Sequence, residues 1–326
     1  MSAEKKIVVI LPAYNEESTI ASTMAEFFRK MPRADIVVVD NRSADRTAEV
    51  AASQLKALGA SGMILREPRP GKANALRKAF REVDADIYVM ADADLTYSAD
   101  DLPTLLAPVV NGLADMVVGN RHANAVYRAQ NTRPLHDFGN NLVRWLINTL
   151  FHTQLSDIMT GYRVLSYRFV KSFPILSEGF EVETEMTLHA AHHRLAVQEL
   201  PIDYRKRPEG SFSKLNTFSD GFRVLKMVLW IFKDYRPLPF FFALSFLAFA
   251  LGLLIGVPVI TEFMHTGLVP KFPSAILATG LMVFSMLFIA TGLLLDTVVK
   301  IQRANFELEL LRRFPHPFRK VPSGEQ

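Results

Sequence analysis

Asp92 and Asp94 stand one residue apart in the run Met90-Ala91-Asp92-Ala93-Asp94-Leu95-Thr96-Tyr97, directly after the apolar stretch Asp86 to Met90. Residues i and i+2 of an extended segment face the same way, so both carboxylates can meet one object. Unpaired, they repel each other. A hard divalent cation relieves that repulsion, and Mg²⁺ takes one or two protein carboxylates with the rest of its shell from water and substrate phosphates. A helix-capping aspartate beside a solvated one is the other reading of D-x-D. Gly71-Lys72-Ala73-Asn74-Ala75-Leu76 opens a helix after Pro68 and Pro70, where backbone N–H groups and an ammonium can meet a phosphate. This is no P-loop, because the G-x-x-x-x-G-K-[ST] spacing is absent. Gly119-Asn120-Arg121 puts a guanidinium after a further apolar run. Two acids and two cations at run ends describe a diphosphate site; ordinary surface charge is the competing reading.

The elements that must position these residues are legible as apolar runs. Residues 6–11, 35–39, 62–65, 86–90 and 115–118 read as strands, with helices near 17–31, 44–58, 72–83 and 100–111. Short β-branched runs separated by helices predict an α/β fold, a mostly parallel sheet with helices on both faces. Ligands of such sheets bind beyond the carboxyl ends of the strands. That rim receives Pro12-Ala13-Tyr14-Asn15-Glu16, Asp40-Asn41-Arg42-Ser43 and Ala91-Asp92-Ala93-Asp94.

The last third of the chain differs. Leu238 to Ile260 and Ser274 to Leu295 carry no charge. A bilayer-spanning helix needs roughly 20 apolar residues, so the two predict a transmembrane hairpin rather than a pair of core helices. Its connecting loop holds one acid, Glu262, and one base, Lys271, whereas Arg205, Lys206, Arg207, Lys214, Arg223, Lys226, Lys233 and Arg236 precede the first span and Lys300, Arg303, Arg312, Arg313, Arg319 and Lys320 follow the second. The positive-inside rule then faces the N-terminal module to the cytoplasm. Between module and hairpin, Thr217 to Tyr235 spaces Phe218, Phe222, Leu225, Leu229 and Phe232 as an amphipathic interfacial helix, with Trp230 and Tyr235 suited to the headgroup level. The apolar run before Pro12 is too short for a signal peptide. With no Cys there is neither a disulfide framework nor a thiolate zinc site. The net charge of +4 is assigned to the membrane flanks rather than to nucleic-acid binding.

PAYNEE, Asp40, GKANAL, DADL and GNR occur in the order and spacing of the family 2 glycosyltransferases with a GT-A fold, which this chain resembles. The likeness continues through Ser156 to Arg163 (SDIMTGYR), Gly179 to Glu185 (GFEVETE) and Arg207 to Lys214 (RPEGSFSK). That ensemble is similar to the polyprenyl-phosphate (dolichyl- or undecaprenyl-phosphate) hexose synthases. The resemblance implies inverting transfer of a hexose from a nucleotide sugar to polyprenyl phosphate. It implies that Pro12, Ala13, Tyr14, Glu16 and Asp40 hold the nucleoside, that Lys72 and Asp92 serve the nucleotide, and that Asp92 and Asp94 bind Mg²⁺ or Mn²⁺. Asp94, Asp157 and Arg121 would be the catalytic group, and Arg207, Ser213 and Lys214 would face the lipid phosphate. Thr96 stands where many dolichyl-phosphate-mannose synthases have Gln, and is left out of the metal set.

The implied organisation is a catalytic domain over 1–214, a juxtamembrane helix over 215–236, two transmembrane helices over 237–300 and a tail over 301–326. A UDP-sugar is favoured over a GDP-sugar. Asp157 either orients a sugar or serves as a turn residue ahead of Thr160-Gly161. Glu181, Glu183 and Glu185 suit a helix start, and Glu183 is offered for a sugar contact. Trp145 reads as a core helix residue, His189, His192 and His193 as packing or surface residues rather than zinc ligands, and Asp296 as a partner of Lys300. Val299 to Phe314 offers a surface for self-association. The rival functions are transfer to a glycolipid or polysaccharide hydroxyl, and a non-catalytic membrane scaffold.

Overall fold

The computed structural model describes residues 5–123, 134–151, 153–177, 182–205 and 229–313. The chain divides into two compact units, Met1–Gly221 and Phe222–Gln326.

The first unit is built on one seven-stranded sheet. In chain order its elements are β1 (Ile7–Ala13), α1 (Ile20–Lys30), β2 (Asp35–Asp40), α2 (Thr47–Leu58), β3 (Gly62–Arg66), α3 (Lys72–Glu82), β4 (Ile87–Met90), α4 (Leu102–Val110), β5 (Met116–Asn120), α5 (Pro134–Phe151), β6 (Arg163–Ser166), α6 (Tyr167–Ser172), α7 (Val182–His192) and β7 (Val197–Pro201). Across the sheet the strands run β3-β2-β1-β4-β6-β5-β7. Period-two alternation divides the core in two. Val9, Leu11, Ile36, Val38 and Val89 pack with Met24 and Phe27 of α1 and Leu105 of α4. Val8, Ile10, Val37, Val39 and Met90 pack with Leu76 and Phe80 of α3 and Met186 of α7.

The sheet departs from the expected pattern at β6, which pairs antiparallel with both β4 and β5. Headed by an arginine and closed by a serine, β6 has two apolar residues where β4, of the same length, has four. Trp145 is a second correction. It lies on α5, as the periodicity predicts, but is 60% exposed. Val143, Leu146 and Ile147, spaced i, i+3 and i+4, take the buried stripe and turn the indole away from it.

The second unit contains α8 (Pro237–Thr266) and α9 (Phe272–Arg313), both long and apolar enough to cross a membrane. They pack on each other through small residues. Ser245 Oγ donates to the Ser285 carbonyl over 2.9 Å, and a Cβ at Gly252 would stand 3.3 Å from Leu281 Cβ. Outside this seam the side chains are apolar and exposed, as in Phe246, Leu254, Met286 and Leu294. Lys300 meets Asp296 at 2.8 Å, and Glu262 meets Lys271 at 3.1 Å beside the connecting turn.

Candidate active site

Pro12 and Ala13 close β1 opposite Val39 and Asp40 of β2, so the two strand tips advance together. The loops beyond them are tied reciprocally. Asn15, in the left-handed region at φ 55°, donates its N–H to Ser43 Oγ and accepts from the Ala44 N–H at 2.8 Å. The Glu16 N–H reaches Thr47 Oγ1 at 2.9 Å and its carboxylate accepts from Thr19 Oγ1. Asp40 is buried and accepts from the Ser43 N–H. Tyr14 remains 44% exposed at the mouth. The five residues implied for a nucleoside therefore share one rim.

At the next strand tip, β4, Lys72 does not point to solvent. Its ammonium lies 2.5 Å from Asp92 and 2.6 Å from Glu183 at the start of α7. Asn41 holds the approach to α3: its side chain donates to the Arg69 carbonyl and accepts from the Gly71 N–H. Burial alone would lower the Lys72 pKa, but Asp92 and Glu183 overcome that effect and raise it well above the ordinary lysine value. Gly161 closes over the cluster. A Cβ there would sit 2.8 Å from both Asp92 carboxylate oxygens and from Lys72 Nζ.

Asp94 is 2% exposed and its Oδ1 accepts from both the N–H and the Oγ1 of Thr96. Leu95 between them takes φ 62°, a left-handed conformation that costs a branched residue about 1–3 kcal/mol and is retained where the surroundings enforce it. All donors in this segment are hard oxygens, the set preferred by Mg²⁺ or Mn²⁺. Among the described residues no group of three or more His, Asp or Glu converges to hold an ion. An ion held by one or two carboxylates, with water and phosphate completing its shell, fits the residues present.

Arg121 and Asp157 form the second charged pair. Arg121 donates from Nε and Nη2 to the two Asp157 oxygens at 2.8 and 2.9 Å, and its backbone N–H adds a third bond. Asp157 is 2% exposed. Burial pushes its carboxyl up, but the Arg121 charge and hydrogen bonds carry it below the ordinary carboxylate range. Glu199 of β7 holds the segment from behind by accepting from the N–H groups of Ser156 and Asp157. A cavity of about 20 Å³ beside the pair, lined in part by His122, Arg144 and Met159, has room for one water.

Arg163 joins the two clusters. Fully buried, it donates to the Ile158 and Thr160 carbonyls and to Thr187 Oγ1, and burial pulls its pKa down to about 10. It thereby sets the segment that carries Asp157 at one end and Gly161 at the other. The Tyr97 hydroxyl accepts from the Gly161 N–H at 2.9 Å, and the Tyr97 ring packs on Tyr162 and Tyr204.

The description of glycosyl transferase family 2 matches residues 8–172, which include every one of these strand-tip residues up to Arg163. The chain belongs to glycosyl transferase family 2. This family 2 glycosyltransferase is 27% identical to the glycosyltransferase AglJ of Haloferax volcanii over 93% of its own length and 97% of that protein's. It is 29% identical to a dolichyl-phosphate hexose transferase of the same organism, over 71% of this chain and 95% of the relative. Among solved structures, a glucosyl-3-phosphoglycerate synthase of Mycobacterium tuberculosis, in complex with Mn²⁺, UDP and phosphoglyceric acid, superposes with a TM-score of 0.56. That likeness covers 71% of this chain and 78% of the neighbour at 21% identity, and it shows a shared GT-A-like fold.

The structure brings Lys72 to Asp92 and Arg121 to Asp157. Arg207, Ser213, Lys214 and Glu181 lie outside the described residues, as do residues 217–228 of the expected juxtamembrane helix; residues 229–235 are helical. Glu183 and Glu185 diverge. Glu183 meets Lys72, while Glu185 accepts from the N–H groups of Leu176 and Ser177 and caps the preceding turn. Tyr97, Gly161, Arg163 and Glu199 are the site residues that sequence reasoning did not single out. The signal for Tyr97, Gly161 and Arg163 was their position inside the quoted motifs; Glu199, on a short edge strand, carried none.

Proposed function

We propose that this family 2 glycosyltransferase is a metal-dependent, inverting enzyme that moves one hexose from a nucleotide sugar, UDP-linked in preference to GDP-linked, onto polyprenyl phosphate. The state of Asp157 carries this reading. A carboxylate gripped by three N–H donors and held below its ordinary pKa is a poor proton acceptor. A sugar hydroxyl would need a base. A phosphate monoester, with its second pKa near ~6, is largely dianionic at neutral pH and attacks without one. The dolichyl-phosphate hexose transferase among the relatives supports the same acceptor, and the Mn²⁺ and UDP in the solved neighbour support the metal and the donor.

In this reading Asp92 and Asp94 hold Mg²⁺ or Mn²⁺ on the donor diphosphate. Such an ion supplies charge neutralisation for the departing nucleoside diphosphate. Pro12, Ala13, Tyr14, Glu16 and Asp40 hold the nucleoside, Lys72 offers its ammonium to the diphosphate, and Arg121 and Asp157 fix the geometry of the sugar and its attacker. Arg207, Ser213 and Lys214 receive the lipid phosphate. Residues 1–214 form the catalytic domain, the segment 215–236 meets the bilayer surface, and the two helices of the second unit anchor the chain. By the positive-inside rule, the basic clusters flanking those helices support a cytoplasmic catalytic domain.

The test is a panel of UDP- and GDP-sugars given to detergent-purified protein with Mn²⁺ and short-chain polyprenyl phosphate, read by mass spectrometry. A glycosyl-phosphoryl-polyprenol, formed with one donor and lost on adding a chelator, is the expected outcome. Transfer to a hydroxyl acceptor alone would overturn the acceptor. No turnover from folded, nucleotide-binding protein would leave the scaffold.

A further inference from the structure

Lys72 is one cation shared by two carboxylates. It sits at 2.5 Å from Asp92 and 2.6 Å from Glu183; Lys72 and Glu183 are buried and Asp92 is partly exposed. The second Glu183 oxygen, Oε2, is buried and has no hydrogen-bond partner among the described residues. A carboxylate that is 4% exposed, with one oxygen unbonded, is expensive to keep in a fold. It is maintained by the Lys72 ammonium on the other oxygen and by the charge of buried Arg163. Gly161 lies against the cluster, and among the described residues the carboxylates in ion-pair contact with Lys72 are these two.

We infer that Glu183 is a positioning residue, a second anchor that lets the Lys72 ammonium act as an exchangeable counter-ion of Asp92. The inference rests on the proposed metal site. Without a donor, Lys72 neutralises Asp92 and suppresses repulsion at the β4 tip. When Asp92 is claimed by a divalent ion and its nucleotide, Lys72 loses one anion but stays tethered by Glu183, within reach of the incoming diphosphate. Removing Glu183 leaves Asp92 as the sole anion for Lys72, and the lysine then competes harder against the ion.

The prediction concerns Mn²⁺ bound without nucleotide, measured on the full chain in detergent by electron paramagnetic resonance of the free ion. Lys72→Met should tighten Mn²⁺ binding about tenfold by releasing Asp92, and Glu183→Gln should weaken it about tenfold. In the Lys72→Met background, Glu183→Gln should change it less than about threefold, because the effect runs through the lysine. If Glu183→Gln does not fold, Glu183→Asp, which keeps the charge and withdraws it from Lys72, replaces it in the same cycle. Equal factors for the Glu183 change in both backgrounds, or unaltered Mn²⁺ affinity in Lys72→Met while Mn²⁺ still binds with UDP, would overturn the inference alone. Failure of wild type to bind Mn²⁺ even with UDP would overturn the metal reading as well.

Discussion

Two buried charge clusters occupy the same rim and are built on opposite principles. Arg121 and Asp157 are matched one to one, with a planar fork on a planar carboxylate and a backbone N–H in support. Around Lys72 there are two carboxylates for one cation and an unbonded buried oxygen. A matched pair is a fixture, because leaving either partner alone in low dielectric costs several kcal/mol. An unmatched cluster has an alternative arrangement close in energy whenever another cation arrives. The difference teaches that the site separates two duties: Asp157 holds geometry and Asp92 exchanges partners.

Breaking the fixture should have the largest effect. Asp157→Asn leaves Arg121 buried without its counter-charge, which costs about 3–5 kcal/mol and lowers the thermal midpoint on the order of 10 °C for a unit of this size. Because the folded-state pKa of Asp157 lies below its unfolded value, its contribution is fully present above the ordinary carboxylate pKa and disappears as pH falls through the folded value. The midpoint gap between wild type and Asp157→Asn should therefore be constant from neutral pH to about 5 and close below about 4. Calorimetry against pH measures both, and a gap unchanged at low pH would mean that Asp157 is not held as an ion.

Gly161→Ala sharpens the contrast from the other cluster. The new methyl group meets the mobile ends of Asp92 and Lys72, which can move aside at little cost in stability. Turnover should fall on the order of 100-fold, since displacements near 1 Å at a reacting centre have that effect, while the midpoint moves by no more than a few degrees. A large loss of stability with turnover preserved would show that the cluster is structural.

At neutral pH the smallest expected effect comes from His189, on the same helix as Glu183 but buried against Phe169 and Phe173. Burial, followed by His192, pulls the His189 pKa down to about 3. The unfolded chain binds this proton below about 6.5 and the folded chain does not, so stability should rise with pH between about 3 and 6.5, by at most about 1.4 kcal/mol per pH unit. His189→Phe should flatten that slope, and an unchanged slope would assign it to other groups.

Much of this was legible in the chain alone. Five strands and the helices between them follow from apolar runs of the right length, and their boundaries fall within a few residues of expectation. The charge-free stretches Leu238 to Ile260 and Ser274 to Leu295 each lie within one helix, the conformation in which an apolar segment satisfies its own backbone hydrogen bonds. What was not legible lay where local pattern and tertiary role part company. β6 is short and starts with a buried arginine, and Trp145 is a large apolar residue on the open side of its helix.

By itself, then, the order of residues determined the family, the rim on which the chemistry gathers, and the residue types that gather there, since strand tips and helix starts are set by local periodicity. Which charge meets which was decided only in three dimensions. Lys72 and Glu183 are far apart in the chain, as are Arg121 and Asp157, and both pairs arise because the sheet order brings the 156–163 segment and α7 against the ends of β4 and β5. Long-range electrostatic pairing depends on distance and burial, and neither is written in any single stretch of sequence.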